Sequence, residues 1–358
     1  MTGRTLQLVH RGYFPARAGA ELMAQRLAEC MRRRGHRVGL YSEAVDEEFR
    51  RGAAREGITV QRLPSLTRAA DRPDIVHAID AVWPDYPRAA LRLARDWGVP
   101  FVFTPASAPE VWQDPATIWD VCRQADAVLV LTSAERQMMR SEGVRGEALH
   151  IIGQAAFLPD REVRPQRFRD THGITGPMVL YVGRKMRSKG YVRLLEAARI
   201  VWRVHPDAHF VFLGPCWDDD CQQVFARYAD RRIIEQGLVD EADKHDALAA
   251  CDLFCLPSVV DVFPLVFVEA WSCAKPVISS TFPGSAEVVR HAIDGLVVEP
   301  DATSVATAVT RLLSEPETIT AWGSNGHSRV RRELNWDAVT ERIETVYANL
   351  ADVSSHQS

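Results

Sequence analysis

The chain has 358 residues, 46% of them apolar, enough to bury two ordinary cores. A net charge of −4 and a pI of about 6.3 exclude the global basic excess of a nucleic-acid binder or of a protein drawn to anionic lipid over its whole surface. There is no signal-peptide pattern and no apolar run of about 18 residues, so the expected location is the cytoplasm, with at most a peripheral contact at the inner membrane face.

Residues 6–10 form a short apolar run, followed by a loop that ends at Gly19 and an amphipathic pattern over 20–34 that Gly35 closes. That is the opening of a βα unit. The runs at 38–42, 58–61, 75–78, 101–104, 127–131 and 150–152 read as further strands, with helical patterns at 86–97 and 133–142 among them. Periodicity fails over 157–177, where charge and proline rise, and the interdomain boundary is placed there. The pattern then restarts. Strands are expected at 178–182, 208–213, 232–236, 253–256, 277–280 and 296–298, with helices at 190–204, 221–228, 241–250, 264–273, 285–291 and 302–313. A last helix over 336–350 has no strand after it. Strands alternating with helices imply parallel sheets covered on both faces. The expected domains are therefore 1–160 and 161–335, with 336–358 as a terminal helix.

Two stretches carry candidate chemistry. In the first, a strand ends at Gly183 and a helix opens near Gly190, with Arg184, Lys185, Arg187 and Lys189 between. Backbone N–H groups at such a helix start, together with Arg184 and Lys189, form a corner suited to a diphosphate, although the same cations also suit a solvated turn. Neither GxxxxGK[ST] nor GxGxxG after the first strand is present, which weighs against an ATPase and a dinucleotide dehydrogenase. In the second, Asp261 precedes a helix start at Pro264 and Glu269 lies inside the helix. Leu265, Val266, Phe267, Val268, Ala270 and Trp271 make that helix apolar on every side, so Glu269 is a carboxylate in a buried element and needs a polar partner, a sugar diol or an arginine.

Taken together, Gly183-Arg184 with Lys189-Gly190, and Asp261-x7-Glu269 with Phe263 between and Ala270-Trp271 after, resemble the donor-site signature of retaining GT-B glycosyltransferases of family four (group 1). Ala18-Gly19-Ala20-Glu21 resembles the first-loop GGxE of that family, and Lys275-Pro276-Val277-Ile278 its following strand. The resemblance implies an α/β fold of two Rossmann-like doubly wound parallel-sheet domains facing a cleft, with the acceptor on the first, the donor on the second, and the last helix crossing back to the first. It implies a metal-independent, retaining hexosyl or glycosyl transfer (EC 2.4 class), with a nucleoside-diphosphate sugar as substrate, no cofactor, and a hydroxyl acceptor of unknown kind. Arg184 and Lys189 are then expected on the pyrophosphate, Asp261 on the donor sugar, and Glu269 on the ribose. Gly183 and the backbone of Leu265 and Val266 are expected beside the nucleotide, and Gly19 beside the phosphates.

The chain departs from the family pattern at three points. Asp261 stands where glutamate is usual, Pro264 where glycine is common, and the loop 105–109 lacks the usual histidine. His77, at the end of the preceding strand, is a candidate to line the same cleft, against the alternative of a packed strand-end histidine. The missing histidine motivates a second reading, a nucleotide-sugar-binding homologue without turnover. Asp218-Asp219-Asp220 is read as a helix-start cap rather than a metal site. The seven cysteines, an odd count without CxxC or zinc spacing, are read as reduced and mostly buried, and no metal is expected.

Overall fold

The computed structural model describes residues 3–12, 19–43, 45–62, 72–156 and 161–355, with side chains described to 350. In chain order the elements are β1 (Thr5–Val9), α1 (Gly19–Arg33), β2 (Arg37–Ser42), α2 (Glu47–Arg55), β3 (Ile58–Arg62), β4 (Ile75–Ile79), α3 (Asp85–Trp97), β5 (Phe101–Thr104), α4 (Pro115–Gln124), β6 (Ala127–Val130), α5 (Ser133–Ser141) and β7 (Leu149–Ile151). They continue as α6 (Pro165–Thr171), β8 (Met178–Val182), α7 (Tyr191–Val201), β9 (His209–Leu213), α8 (Cys221–Arg227), β10 (Ile233–Gln236), α9 (Glu241–Ala250), β11 (Leu253–Leu256), α10 (Leu265–Ser272), β12 (Val277–Ser280), α11 (Ser285–Val288), β13 (Gly295–Val298), α12 (Ala302–Leu313), α13 (Pro316–Arg332) and α14 (Trp336–Ser355). The chain divides into two compact units, 1–154 with 336–358, and 155–335.

The first unit is a seven-stranded sheet in the order β3-β2-β1-β4-β5-β6-β7, every pairing parallel. Its central strands β4, β5 and β6 are buried on both faces, which is why they read as continuous apolar runs. The strand order reverses between β1 and β4, and in open parallel sheets ligands bind at the carboxyl ends of the strands beside such a reversal. Helix α14 belongs to this unit and packs along α1. It is fixed there by polar side chains: Glu344 accepts from His36 Nε2 at 2.8 Å and from Arg34 Nε at 2.5 Å, and Arg342 donates to the Ile152 carbonyl at 2.6 Å.

The second unit repeats the plan with six parallel strands in the order β10-β9-β8-β11-β12-β13, reversing between β8 and β11. Helix α10 is the most apolar of its helices, with Phe267, Val268, Glu269, Ala270 and Trp271 all buried. Helix α13 lies close against it because Gly323 and Gly326 carry no side chain. A Cβ on Gly323 would stand 1.9 Å from the Ala274 carbonyl, and one on Gly326 2.1 Å from the Trp271 ring.

Four helices escape the sequence pattern: α2, α4, α6 and α13. Pro264 also falls one position earlier than expected. It is the residue before the helix, with φ −59° and ψ 116°, rather than its first helical residue. Among the described residues no helix is long and apolar enough to cross a membrane.

Candidate functional site

The second unit gathers its chemistry at the β8/β11 reversal. After β8 the chain turns through Gly183–Gly190 and a 3₁₀ turn, Arg187–Lys189, before α7 begins. Gly190 has φ 84°, and a Cβ there would lie 2.2 Å from the Pro257 carbonyl oxygen, so only glycine lets this turn press against the loop that follows β11. A hydrogen bond closes the contact, Val259 N–H donating to the Ser188 carbonyl at 2.9 Å, and Ser280 Oγ of β12 ties the same loop down by donating to the Ser258 carbonyl at 2.6 Å. Gly183 differs: a Cβ there meets only ordinary contacts at 3.7 Å or more, and what favours glycine is its φ of 158°. The close approach belongs instead to Gly214, whose Cβ would sit 2.2 Å from the Gly183 carbonyl oxygen.

The four cations of the turn have separate fates. Lys189 Nζ donates to Asp261 Oδ2 at 2.6 Å and to the Val260 carbonyl at 3.2 Å, which joins the two sequence stretches through their charged residues. Arg184 is exposed, with its guanidinium 5.0 Å from the centre of the exposed Trp217 ring. Lys185 is fully buried, donating to the Gly214 carbonyl at 2.5 Å, to Glu235 and to the Gln236 carbonyl. Burial lowers its pKa, and the hydrogen bond and charge of Glu235 offset only part of that. Lys185 is therefore a structural pin that ties the turn to β9 and β10.

Arg187 pairs with Asp220 at 2.5 Å, while its N–H donates to Asp218 Oδ2 at 2.9 Å. This corrects the reading of the three aspartates, because Asp220 makes no side-chain cap at α8 and the acids brace the 184–189 turn instead. The same loop holds a disulfide, Cys216–Cys221, contrary to the expectation of unpaired thiols, while Cys30, Cys122, Cys251, Cys255 and Cys273 are free.

Helix α10 opens without a side-chain cap, and Leu265 and Val266 in its first turn are half-buried. The N–H groups of a first helical turn have no intrahelical acceptor, so this end offers donors to an anion. One turn further in, Glu269 is 1% exposed. Its partner is neither a diol nor an arginine but Lys244 of α9, with Nζ 2.9 Å from Oε1, and Oε2 has no hydrogen-bond partner. Glu241, His245 and Glu269 also bring their ligand atoms within 4.8 Å of one another, a spacing that suits a metal ion. The Lys244 ammonium already contacts both carboxylates of that group, at 2.8 Å from Glu241 and 2.9 Å from Glu269.

In the first unit the candidates fare differently. Gly19 opens α1, and a Cβ there meets no described atom within 4 Å, so the described fold does not demand glycine. Ala18 of the same motif lies outside the described residues. His77 is in the middle of β4 rather than at its end, 1% exposed, with Nδ1 2.6 Å from the Tyr347 hydroxyl and Nε2 2.7 Å from Thr104 Oγ1. Burial pushes its pKa down to about 3. With both ring nitrogens engaged, it is a packed strand histidine that ties α14 to the sheet.

Residues that sequence reasoning passed over sit at the β1/β4 reversal. His10 and Asp80 follow the two strands, with Nε2 3.9 Å from Oδ2. Burial pushes His10 down to about 4 and Asp80 up to about 6. Asp80 has φ 84°, a left-handed conformation that costs a non-glycine residue of order 1–3 kcal/mol and is characteristic of functional sites. Beside them Arg11 stacks on Trp83 at 3.6 Å and pairs with Glu43 at 2.9 Å. Their position directly after strands at a chain reversal was the available signal.

Doubly wound parallel sheets define a class of α/β protein in which ligands lie at the carboxyl ends of the strands beside the reversal, where open helix ends suit anions. Two family descriptions match this chain: Glycosyltransferase Family 4 over residues 17–155 and Glycosyl transferases group 1 over residues 164–329. The chain belongs to the group 1 glycosyltransferases of the GT-B fold. It is 26% identical over 280 residues to an alpha-D-kanosaminyltransferase of Streptomyces kanamyceticus, covering 72% of each chain. It is 30% identical over 255 residues to the alpha-maltose-1-phosphate synthase of Mycobacterium tuberculosis, covering 62% of this chain and 63% of that one. Among solved structures, Anabaena HepE in complex with UDP and glucose is similar in fold, with a TM-score of 0.81 at 18% identity over 97% of this chain and 100% of that one. Sucrose-phosphate synthase from Thermosynechococcus elongatus has a TM-score of 0.76 at 19% identity, over 98% and 100%.

Proposed function

We propose that the chain transfers a sugar, with retention and without a metal, from a nucleoside-diphosphate sugar to an acceptor hydroxyl. The observation that carries this reading is the Lys189–Asp261 pair at the β8/β11 reversal, with Glu269 further along the helix that opens beside it. Lys189 and Arg184 take the pyrophosphate and stabilise the negative charge that grows as the glycosyl bond breaks. Open N–H groups at Leu265 and Val266 add donors to the same anion. Asp261, displaced from Lys189, accepts from a hydroxyl of the donor sugar, and Glu269 accepts from the ribose. Relatives named as glycosyltransferases, and a fold neighbour solved with UDP and glucose, support a nucleotide-sugar donor.

A thermal-shift screen with UDP-, GDP-, ADP- and TDP-sugars tests the reading, followed by a labelled-donor assay with the sugar that stabilises most. The expected result is one nucleotide series that raises the melting temperature in the wild type and not in Lys189→Met. Absence of binding by every nucleoside diphosphate overturns it.

A further inference from the structure

Lys244 is one of only four lysines in the chain, and it stands against the carboxylate on which donor recognition turns. It reaches across from α9, with its ammonium 2.9 Å from Glu269 Oε1 on one side and 2.8 Å from Glu241 Oε2 on the other. Its own side chain is 12% exposed and that of Glu269 is 1% exposed, whereas that of Glu241 is 59% exposed. Burial works to lower the lysine's pKa, but the two carboxylates outweigh it and leave the ammonium more firmly charged than usual.

A carboxylate set in an all-apolar helix face has rotamers to choose from and a high desolvation cost, and both are settled by one fixed cation. The division of labour between the two oxygens is asymmetric. Oε1 is taken by the ammonium, and Oε2 is buried with no hydrogen-bond partner among the described residues. An unmet carboxylate oxygen in such a place costs the folded protein until a hydroxyl or another donor completes it.

We propose that Lys244 is a positioning residue for the donor: it holds Glu269 by Oε1 so that Oε2 is presented to the vicinal hydroxyls of the ribose. The proposal rests on the reading of Glu269 as the ribose acceptor and extends it to a residue on another helix. Lys244 touches neither the sugar nor the phosphates in this scheme. Its removal therefore lowers ribose recognition while sparing the grip of Lys189 and Arg184 on the diphosphate.

Calorimetry with UDP and 2′-deoxy-UDP, or with GDP and 2′-deoxy-GDP where the screen selects guanosine, separates the possibilities. The wild type is expected to prefer the ribonucleotide by about tenfold or more, the equivalent of one good charged hydrogen bond. Lys244→Met should bring that preference close to unity while changing affinity for the deoxynucleotide by less than about threefold, and Lys244→Arg should restore most of it. Where the methionine variant does not fold, Lys244→Gln carries the same comparison. A variant that folds and keeps the wild-type preference overturns the positioning role. A wild type that does not distinguish ribose from deoxyribose overturns the ribose reading of Glu269 itself, which is a different result. Ribonucleotide preference that appears only with added divalent cation, and is lost with chelator, assigns the Glu241–His245–Glu269 group to a metal and also overturns the proposal.

Discussion

Lys189 and Asp261, 72 residues apart in sequence, form an ion pair of 2.6 Å across the β8/β11 reversal, and the two side chains are only 22% and 13% exposed. A pyrophosphate that takes Lys189 must compete with Asp261, so the two substitutions should act on nucleotide binding with opposite signs. Lys189→Met is expected to weaken UDP binding and to lower kcat/KM by about 10²–10³, the usual loss for one donor at a site of developing charge. Asp261→Asn should instead tighten UDP binding by up to about tenfold while lowering transfer, because it frees the ammonium but removes the sugar contact. Calorimetry with UDP beside a transfer assay measures both, and equal weakening by the two variants contradicts the competition.

Gly190 and Gly19 look alike in sequence and should behave differently. A methyl group at Gly190 meets the Pro257 carbonyl at 2.2 Å with φ at 84°, so Gly190→Ala is expected to cost about 2–3 kcal/mol in denaturant unfolding and to push the 183–190 turn away from its neighbour. Gly19→Ala meets no described atom within 4 Å and should leave stability within about 0.5 kcal/mol. Its effect should appear in donor affinity alone.

Both parallel sheets were legible because their central strands, covered on both faces, are apolar throughout, and the interruptions between them fell at polar turns. The helices that escaped had physical reasons to do so. Helix α2 buries none of its residues, and Phe49 is the one large apolar side chain in it, too little to read as a helical stripe. Helix α13 contains Gly323 and Gly326, which read as breakers but are needed where it meets α10. At the site, the residue types in the 183–190 and 258–278 stretches were visible. What they bind within the fold was not, because the partner of Glu269 lies 25 residues away on another helix and Lys185 becomes a buried pin only once β9 and β10 are in place. His77 was misplaced because a histidine in a buried strand can be satisfied only by side chains that sequence neighbours do not supply, here Thr104 and the distant Tyr347.

The loop without the usual histidine offers a direct comparison of the two functional readings. Ala106 has φ 56°, so a larger side chain there is strained, whereas Ala108 has φ −73° and ψ 146° and accepts any residue. Ala108→His is therefore the informative variant. For an enzyme already competent without the histidine, labelled-donor transfer should stay within about threefold of wild type, a change under about 1 kcal/mol. A rise well beyond that points to a binder that has lost turnover.

Glu135 gives a pH dependence with a definite sign. It sits at the start of α5, where Thr132 Oγ1 accepts from its N–H at 3.1 Å while its own Oε2 accepts from the Leu131 N–H at 2.6 Å, and Oε1 is buried without a hydrogen-bond partner. Burial pushes its pKa up to about 7, with the Leu131 hydrogen bond pulling the other way. An acid whose folded pKa is raised holds a proton in the folded state that the unfolded chain has already released. Its contribution is therefore least costly below about pH 4, and stability is lost as pH rises from the unfolded value towards 7. The full difference is of order 3 kcal/mol, at about 1.4 kcal/mol for each tenfold change in proton affinity. His10 and His77, pushed down to about 4 and about 3, act in the opposite sense, since the unfolded chain binds their protons first and stability grows as pH rises towards 6.5. The net profile of the wild type mixes the two, and the difference between wild type and Glu135→Gln isolates one of them. Glutamine cannot ionise, so the stability of the variant relative to wild type should climb between pH 4.5 and 7 and be flat above, as followed by urea unfolding at each pH. A difference that does not change across that window shows that Glu135 is ionised throughout and that its free oxygen is hydrated in solution.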